Sequence, residues 1–220
     1  MTSSCCQAAL QNVAIIKMNI RSKITRLSED NLREKIIIPL LKALGAYSVE
    51  NFHGSSEKGK DVYFAYKDIF GEYKHCCFFI KIGNIKKSGK NDIRKMKGHI
   101  EEAIQRNFIN PIDNKNPIYI EEFYFVCSGK INQEARDYIS DLLRQKQMPS
   151  FRIFDIDKLI ETILNLVKRY NSILNKNYTF STQSFSKYCN QIRNYKDKKY
   201  AMPTISVSGH SEGKIIQDHE

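Results

Sequence analysis

The sequence lacks any apolar run that approaches the roughly 20 residues of a membrane-spanning helix. The apolar segment at 13–16 is too short for the core of a signal peptide, and Lys17 interrupts it. We therefore expect a cytoplasmic protein that has no membrane partner.

Cysteine pairs with the spacing of zinc ligands are also missing. The six cysteines include no Cys-x-x-Cys pair, so we do not expect a zinc site. Three of them, Cys76, Cys77 and Cys127, fall in apolar stretches that have the pattern of strands. Reduced, buried thiols suit the cytoplasm, where disulfides are rare.

Acidic residues are too few to balance the basic ones. The chain has 24 Asp and Glu against 35 Lys and Arg, which gives a formal net charge of +11. Such an excess favours a polyanionic partner, most often nucleic acid, while a basic protein without such a partner is the alternative. Apolar residues make up 41% of the 220 residues, enough for one domain with a real core.

The pattern of helices and strands divides the chain into three parts. We expect an N-terminal arm at 1–27, a domain at 28–170, and a basic, polar extension at 171–220 that is partly disordered. Within the domain the order is helix, three strands, helix, strand, helix, strand, helix. This alternation predicts an α/β fold with a mixed central sheet flanked by helices.

The first helix of the domain has clear start and stop signals. Ser28 is a good N-cap and Glu29 follows it in the first turn, where acids are favoured. Gly45 closes the helix. Pro39 lies inside it and predicts a kink or a division into two pieces.

Two strands joined by a turn carry the most informative residues. The first begins at Asp61, and the second runs over about 73–82 and includes Lys81. Side chains alternate along a strand, so Lys81 and Phe79 share one face, whereas Phe78, Ile80 and Ile82 share the other, an apolar core face. An acid that opens one strand and a lysine late on its neighbour can then meet at the edge of the sheet.

This arrangement suits metal-assisted hydrolysis of a phosphodiester. A hard cation such as Mg²⁺ needs carboxylate oxygens, which Asp61 supplies. Lys81 can orient the attacking water and stabilise charge on the phosphate. The alternative is that Asp61 is a turn residue and Lys81 a solvated strand end.

The residues of these two strands resemble the motif of a known nuclease superfamily. The stretches Gly59-Lys60-Asp61 and Phe79-Ile80-Lys81-Ile82-Gly83 are similar to the PD-(D/E)XK superfamily, in particular to its restriction-endonuclease-like branch of the Mrr type. Asp61 and Lys81 match the family's aspartate and lysine, and Phe79 stands where the family has Glu or Gln. A second similarity lies in Ser128-Gly129 followed by Ile131, Ala135 and Arg136.

The resemblance extends over about 28–164 and implies a restriction-endonuclease-like αβββαβ core. It implies a domain that hydrolyses DNA with Mg²⁺ or Mn²⁺, in a role such as defence against foreign DNA. Asp61 would bind the metal and Lys81 would position the water. Glu34 is our candidate for the metal-site acid that the family often carries on its first helix; the alternative is an acid favoured there by the helix dipole.

Phe79 leaves a second function open, because phenylalanine cannot bind a metal ion. The alternative is a catalytically impaired domain of the same fold that binds DNA or a protein partner. Some family members carry the missing acid on the following helix, where this chain has Glu101 and Glu102. A homodimer and a fused or associated effector module also remain open.

Basic residues next to the two motifs are our candidates for contacts to the DNA backbone. Lys60 precedes Asp61, and the loop after Lys81 adds three more, Lys86, Lys87 and Lys90. Contacts of this kind give affinity without reading the base sequence. A solvated lysine-rich loop is the alternative.

Overall fold

The structure is a computed structural model that describes residues 3–52, 60–89, 91–105, 108–109, 117–148, 150–171 and 180–200. Its helices are α1 (Ser3–Ile24), α2 (Glu29–Leu32), α3 (Ile38–Leu44), α4 (Lys97–Gln105), α5 (Gln133–Gln145), α6 (Ile156–Asn171) and α7 (Thr182–Tyr200). Its strands are β1 (Ser48–Asn51), β2 (Val62–Lys67), β3 (Tyr73–Lys81), β4 (Phe108–Ile109), β5 (Pro117–Ile118), β6 (Glu122–Cys127) and β7 (Ser150–Phe154).

Five of the strands form one mixed sheet, in the order β1-β2-β3-β6-β7. The first three pair antiparallel, as a meander, and β6 and β7 run parallel to β3. The helical segment before β1 and helix α4 between β3 and β6 complete the predicted αβββαβ core. The mixed α/β fold expected from the sequence is therefore confirmed.

Apolar side chains cover both faces of this sheet. One face packs against α1, α3, α6 and α7, through strand residues such as Phe78 and Ile80. The other packs against α4 and α5 and includes Cys77 and Phe79. The sequence pattern predicts a core on the first face only. It also placed Ile82 in that core, but β3 ends at Lys81 and Ile82 is 43% exposed.

The first helix of the domain begins and ends where its capping residues predict. Ser28 Oγ accepts a hydrogen bond from the N–H of Asn31, and Gly45 closes α3 with a left-handed φ of 104°. A π-helical turn, Arg33–Ile37, separates α2 from α3 and lies just before Pro39. Proline lacks an N–H and clashes with the carbonyl four residues back, so the wider turn accommodates it.

The two ends of the described chain are more ordered than the sequence indicated. In the N-terminal arm, α1 runs to Ile24 and buries Ile20 and Ile24 in the core. In the C-terminal extension, α7 buries Phe185 and Ile192 against the same core. Residues 182–200 of the extension are thus helical and packed, because their apolar residues recur on one helix face. Residues 172–179 and 201–220 of the extension lie outside the described residues.

Four of the six cysteines lie among the residues whose burial is described. Cys76, Cys77, Cys127 and Cys189 are buried and free, and burial raises the pKa of Cys77, Cys127 and Cys189 to about 12. These side chains are therefore uncharged thiols near neutral pH.

Within the described ranges, no helix combines the length and the apolar character that crossing a membrane requires.

The packing of α7 gives a test of stability. Ile192 is fully buried, so Ile192→Ala should lower the free energy of unfolding by about 2–4 kcal/mol through lost contacts and a cavity. Its neighbour Arg193 has a side chain that is 49% exposed, and Arg193→Ala should change stability by no more than about 0.5 kcal/mol. Urea unfolding measures both; equal stability of the two variants would mean that α7 is not part of the core.

Candidate active site at the edge of the sheet

The backbone and the side chain of Asp61 are both hydrogen-bonded to the backbone of β3. The register pairs Val62 with Phe78, and just before β2 the Asp61 N–H donates to the Phe78 carbonyl at 3.0 Å. The side chain then accepts a hydrogen bond at Oδ2 from the Ile80 N–H, at 2.5 Å. These two bonds fix the carboxyl group beside β3, one residue before Lys81.

Burial dominates the electrostatics of Asp61. The residue is 6% exposed, and loss of hydration raises the pKa of Asp61 to about 6. The Ile80 N–H, Lys81 and Arg33 each act to lower it, whereas the negative charge of Glu29 acts to raise it. Arg33 is itself buried, and its Nη1 lies 3.9 Å from Asp61 Oδ1. Asp61 is thus a carboxylate held in a poorly hydrated site next to cations.

Lys81 links Asp61 to the first helix. Its Nζ donates to Glu29 Oε1 at 3.0 Å and lies 4.8 Å from the centre of the Phe79 ring. Since Lys81 also acts on the pKa of Asp61, its ammonium group interacts with two carboxylates. The structure places Lys81 directly after Ile80, the residue whose N–H donates to the Asp61 carboxylate.

Hydrogen bonds to Ser128 and a close contact between Gly83 and Gly129 fix the chain at the end of β3. The N–H of Ser128 donates to the Lys81 carbonyl, and Ser128 Oγ accepts the N–H of Gly83 at 2.9 Å. Gly83 has a φ of 76°, which favours glycine. A Cβ on Gly129 would lie 2.3 Å from the Gly83 carbonyl carbon, so this crossing requires glycine. The two sequence motifs singled out above therefore touch each other beside Lys81.

The first-helix acid at this site is Glu29 and not the predicted Glu34. Glu29 lies in the first turn of α2, at the end that faces Lys81, whereas Glu34 is exposed in the π-helical turn. The N-cap at Ser28 was the signal available in the sequence, because it marks which acids lie at the helix start. Arg33 was missed as well, since nothing in the sequence indicates its burial.

Phe79 belongs to the core under α4 and α5. It is 2% exposed, and its ring centre lies 5.5 Å from that of Phe125 and 6.4 Å from that of Phe123. Two acids were suggested as replacements, of which Glu102 is half-buried on α4 and stays a prediction, whereas Glu101 pairs with Lys146 at 3.0 Å. Lys146 lies between α5 and β7, near the start of β7. Because β3, β6 and β7 are parallel, this is the end of the sheet away from Lys81. Glu101 therefore does not supply the missing carboxylate.

The candidate DNA-binding lysines fall in three different situations. Lys60 is 2% exposed, which conflicts with its predicted role as a surface contact to phosphates. Lys86 and Lys87 are exposed on the loop that follows Lys81, as that role requires. The loop is anchored by hydrogen bonds from Ile85 N–H to the Lys130 carbonyl and from Lys86 N–H to the Asn91 carbonyl. Lys90 lies outside the described residues.

The candidate oxygen ligands for a metal ion are the carboxylates of Asp61 and Glu29, both of which interact with Lys81. Asp61 and Glu29 offer carboxylate oxygens, and Mg²⁺ in enzymes is commonly held by one or two carboxylates together with substrate phosphates. In the part of the chain that the structure describes, no three His, Cys, Asp or Glu side chains lie close enough to hold a metal ion by themselves. A cage made of protein ligands alone is therefore not formed by these residues.

Comparisons with known proteins give similarities of structure only. No protein-family model and no curated protein matches the chain. The MspJI restriction endonuclease in complex with a 27-mer oligonucleotide is similar at 12% identity and a TM-score of 0.32, over 85% of this chain and 40% of that one. The Cap4 SAVED/CARF-domain containing receptor of Moraxella osloensis is similar at 14% identity and a TM-score of 0.35, over 76% and 41%. The chain spans about two fifths of the length of each.

The raised pKa of Asp61 predicts that the free energy of unfolding decreases as the pH rises. Between its ordinary value of 3.8 and about 6, the folded state binds the Asp61 proton more tightly than the unfolded state does, so stability falls as the pH rises. Over the whole interval the loss is about 3 kcal/mol. Asp61→Asn, which retains an oxygen for the Ile80 N–H, removes this loss.

Urea unfolding from about pH 4 to pH 8 measures the difference between the two proteins. Asp61→Asn should gain stability relative to the unaltered protein as the pH rises through the interval given by this pKa shift. Titrations of groups that do not interact with Asp61 cancel in the comparison. Parallel stability curves would show that the Asp61 carboxyl is hydrated in the folded protein.

Proposed function

We propose that this chain is a DNA-directed hydrolase of the nuclease fold that cleaves phosphodiester bonds with Mg²⁺ or Mn²⁺. The observation that carries the proposal is the meeting of Asp61, Glu29 and Lys81 at the end of β3. Support also comes from the resemblance of the two strand motifs to the PD-(D/E)XK superfamily. A role in defence against foreign DNA would follow from that resemblance and is part of the proposal.

Each residue has a distinct role in the proposed reaction. Asp61 and Glu29 would hold the cation, which when bound would supply an acidic water and positive charge next to the phosphate. Lys81 is held beside both carboxylates, and its ammonium group orients the water and stabilises negative charge as the phosphate is attacked. Arg33 remains buried behind Asp61 and helps to keep that carboxyl ionised.

The DNA backbone would reach this site along the loop after β3. Lys86 and Lys87 are exposed there, and Asn84, Ser88 and Asn91 line a shallow cavity of about 340 Å³ next to them. Because Gly83 and Ser128 tie the start of this loop to Lys81, a phosphate bound at the loop lies near the catalytic residues. The net charge of +11 favours the same partner at longer range.

A second candidate is a domain that binds DNA or a protein partner without cutting. It is favoured by the burial of Phe79, which removes one acid of the family's pattern from the site. It is also favoured by the Lys81–Glu29 ion pair, in which each charge already has a partner. In this case the same lysines would bind the backbone, and Asp61 would be a remnant of the catalytic site.

Cleavage of supercoiled plasmid DNA separates the two candidates. We expect cutting with Mg²⁺ or Mn²⁺, none in EDTA, and at least about a hundredfold loss in Asp61→Asn, Lys81→Met and Glu29→Gln. Glu34→Gln is the matched control, since it makes the same change on the neighbouring, exposed part of the helix. It should cut at the normal rate.

Two outcomes would reject the hydrolase. The first is a folded, unaltered protein that binds DNA and does not cut with either metal, which would leave the binding domain. The second is cutting that survives in Asp61→Asn and Lys81→Met, which would place the chemistry elsewhere. Introducing glutamate at Phe79 is a poor test, because it would bury a charge between Phe123 and Phe125.

The loop lysines give a separate prediction for DNA binding. In Lys86→Ala/Lys87→Ala the affinity for duplex DNA should fall, and the slope of log affinity against log salt should drop by about 2, one for each lost phosphate contact. Lys168→Ala/Lys187→Ala, which removes two exposed charges from α6 and α7, is the control. Fluorescence anisotropy at several KCl concentrations measures both; equal slopes would rule out the loop as the backbone contact.

A further inference from the structure

An apolar cavity of about 530 Å³ lies on the face of the sheet that packs against α3 and α6. It is lined by aliphatic residues of both helices and by six aromatic rings, and it is open to solvent on one side. The rings are those of Tyr47, Phe64, Tyr66, Phe78, Tyr124 and Phe154. Its size and its mostly apolar lining are those of a site for a small organic molecule.

Several of the rings are held by contacts with one another. The centre of the Phe78 ring lies 4.9 Å from that of Tyr124 and 5.1 Å from that of Phe64. Tyr66 and Tyr124 both donate their hydroxyls to the carboxylate of Glu122, at 2.7 and 2.5 Å. The wall is therefore pre-formed, and ordering it would cost a ligand little.

The charged groups of the lining have one sign. Lys67 and Arg152 are exposed and line the cavity, and among its described lining residues there is no acid. The nearby acid, Glu122, has each of its oxygens occupied by a tyrosine hydroxyl. Burial and the Glu122 hydrogen bonds raise the pKa of both tyrosines, so their hydroxyls stay protonated and uncharged. The cavity thus joins aromatic walls to a cationic mouth.

We propose that this cavity is a binding site for a small, planar aromatic anion. Its rings would stack against Phe78 and Tyr124, and its carboxylate, sulfonate or phosphate group would pair with Arg152 at the mouth. Phe78 is shared with the catalytic region, because its carbonyl accepts the Asp61 N–H. The cationic mouth lies further away, since Lys67 follows Asp61 by six residues, about 20 Å for an extended strand. The inference does not rest on the proposed hydrolysis of DNA.

Titration with anilinonaphthalene sulfonate, a planar aromatic anion whose fluorescence rises in apolar surroundings, tests the site. We expect saturable binding to one site on the folded protein and a raised melting temperature. Arg152→Gln should weaken binding about tenfold, since it removes a charge-assisted contact from an exposed position. Leu44→Glu, which adds a negative charge to a lining residue that is 52% exposed, should weaken it by a similar factor.

Two controls identify the site and the charge. Arg144→Gln removes an exposed cation from α5 on the opposite face of the sheet, and its binding should stay within about twofold of the unaltered protein. Phenylnaphthylamine, an uncharged probe of similar shape, should bind weakly and without dependence on Arg152.

The proposal is overturned by three results. One is the absence of saturable binding, and another is equal binding to the unaltered protein, Arg152→Gln and Leu44→Glu. The third is a dimer, seen by analytical ultracentrifugation, that Leu44→Glu dissociates, which would mean that a second copy of the chain fills the cavity. Circular dichroism of each variant confirms that it is folded before the comparison is made.

Discussion

The burial of the Asp61 carboxyl beside the backbone of β3 is the constraint on which the rest of the site depends. A carboxylate without water needs hydrogen-bond donors and nearby cations, and Ile80, Lys81 and Arg33 supply them. Each of these comes from a different structural requirement: the strand register, the end of β3 and the π-helical turn before Pro39. The negative charge of Glu29 destabilises the ionised form of Asp61, and Glu29 is itself paired with Lys81. Under the function proposed above, the two carboxylates would hold a divalent cation and the ammonium group would stabilise charge on the phosphate.

Much of the fold could be predicted, because local signals determine it. Caps at Ser28 and Gly45 set the first helix, and the alternation of elements gave the αβββαβ order and the mixed sheet. Asp61 and Lys81 could be found because both lie on adjacent strands joined by a short turn. The packing of α7 was not predicted, since the helical spacing of residues such as Phe185 and Ile192 shows that they share a face but not what that face packs against. Their burial depends on α3, far away in the chain.

The remaining site residues depend on three-dimensional facts that the sequence does not contain. The N-cap at Ser28 marks Glu29 rather than Glu34 as the acid at the helix start, but the sequence does not show that this end of the helix faces Lys81. Lys60 resembles an exposed basic residue in the sequence, yet it is buried. Phe79 fills a core on the second face of the sheet, which explains in packing terms why an apolar residue is stable at this position. Its burial leaves Asp61 and Glu29 to supply the carboxylates for the proposed cation.

The most direct test of the central claim is a carbon-detected NMR titration of the Asp61 carboxyl group. We predict a pKa near 6, because burial raises it. The pKa should rise further in Lys81→Met and fall in Glu29→Gln, since the first variant removes a positive charge and the second a negative one. A pKa close to the ordinary 3.8 that neither variant moves would contradict the account. Asp61 would then be a hydrated turn residue, and the three side chains would not form one site.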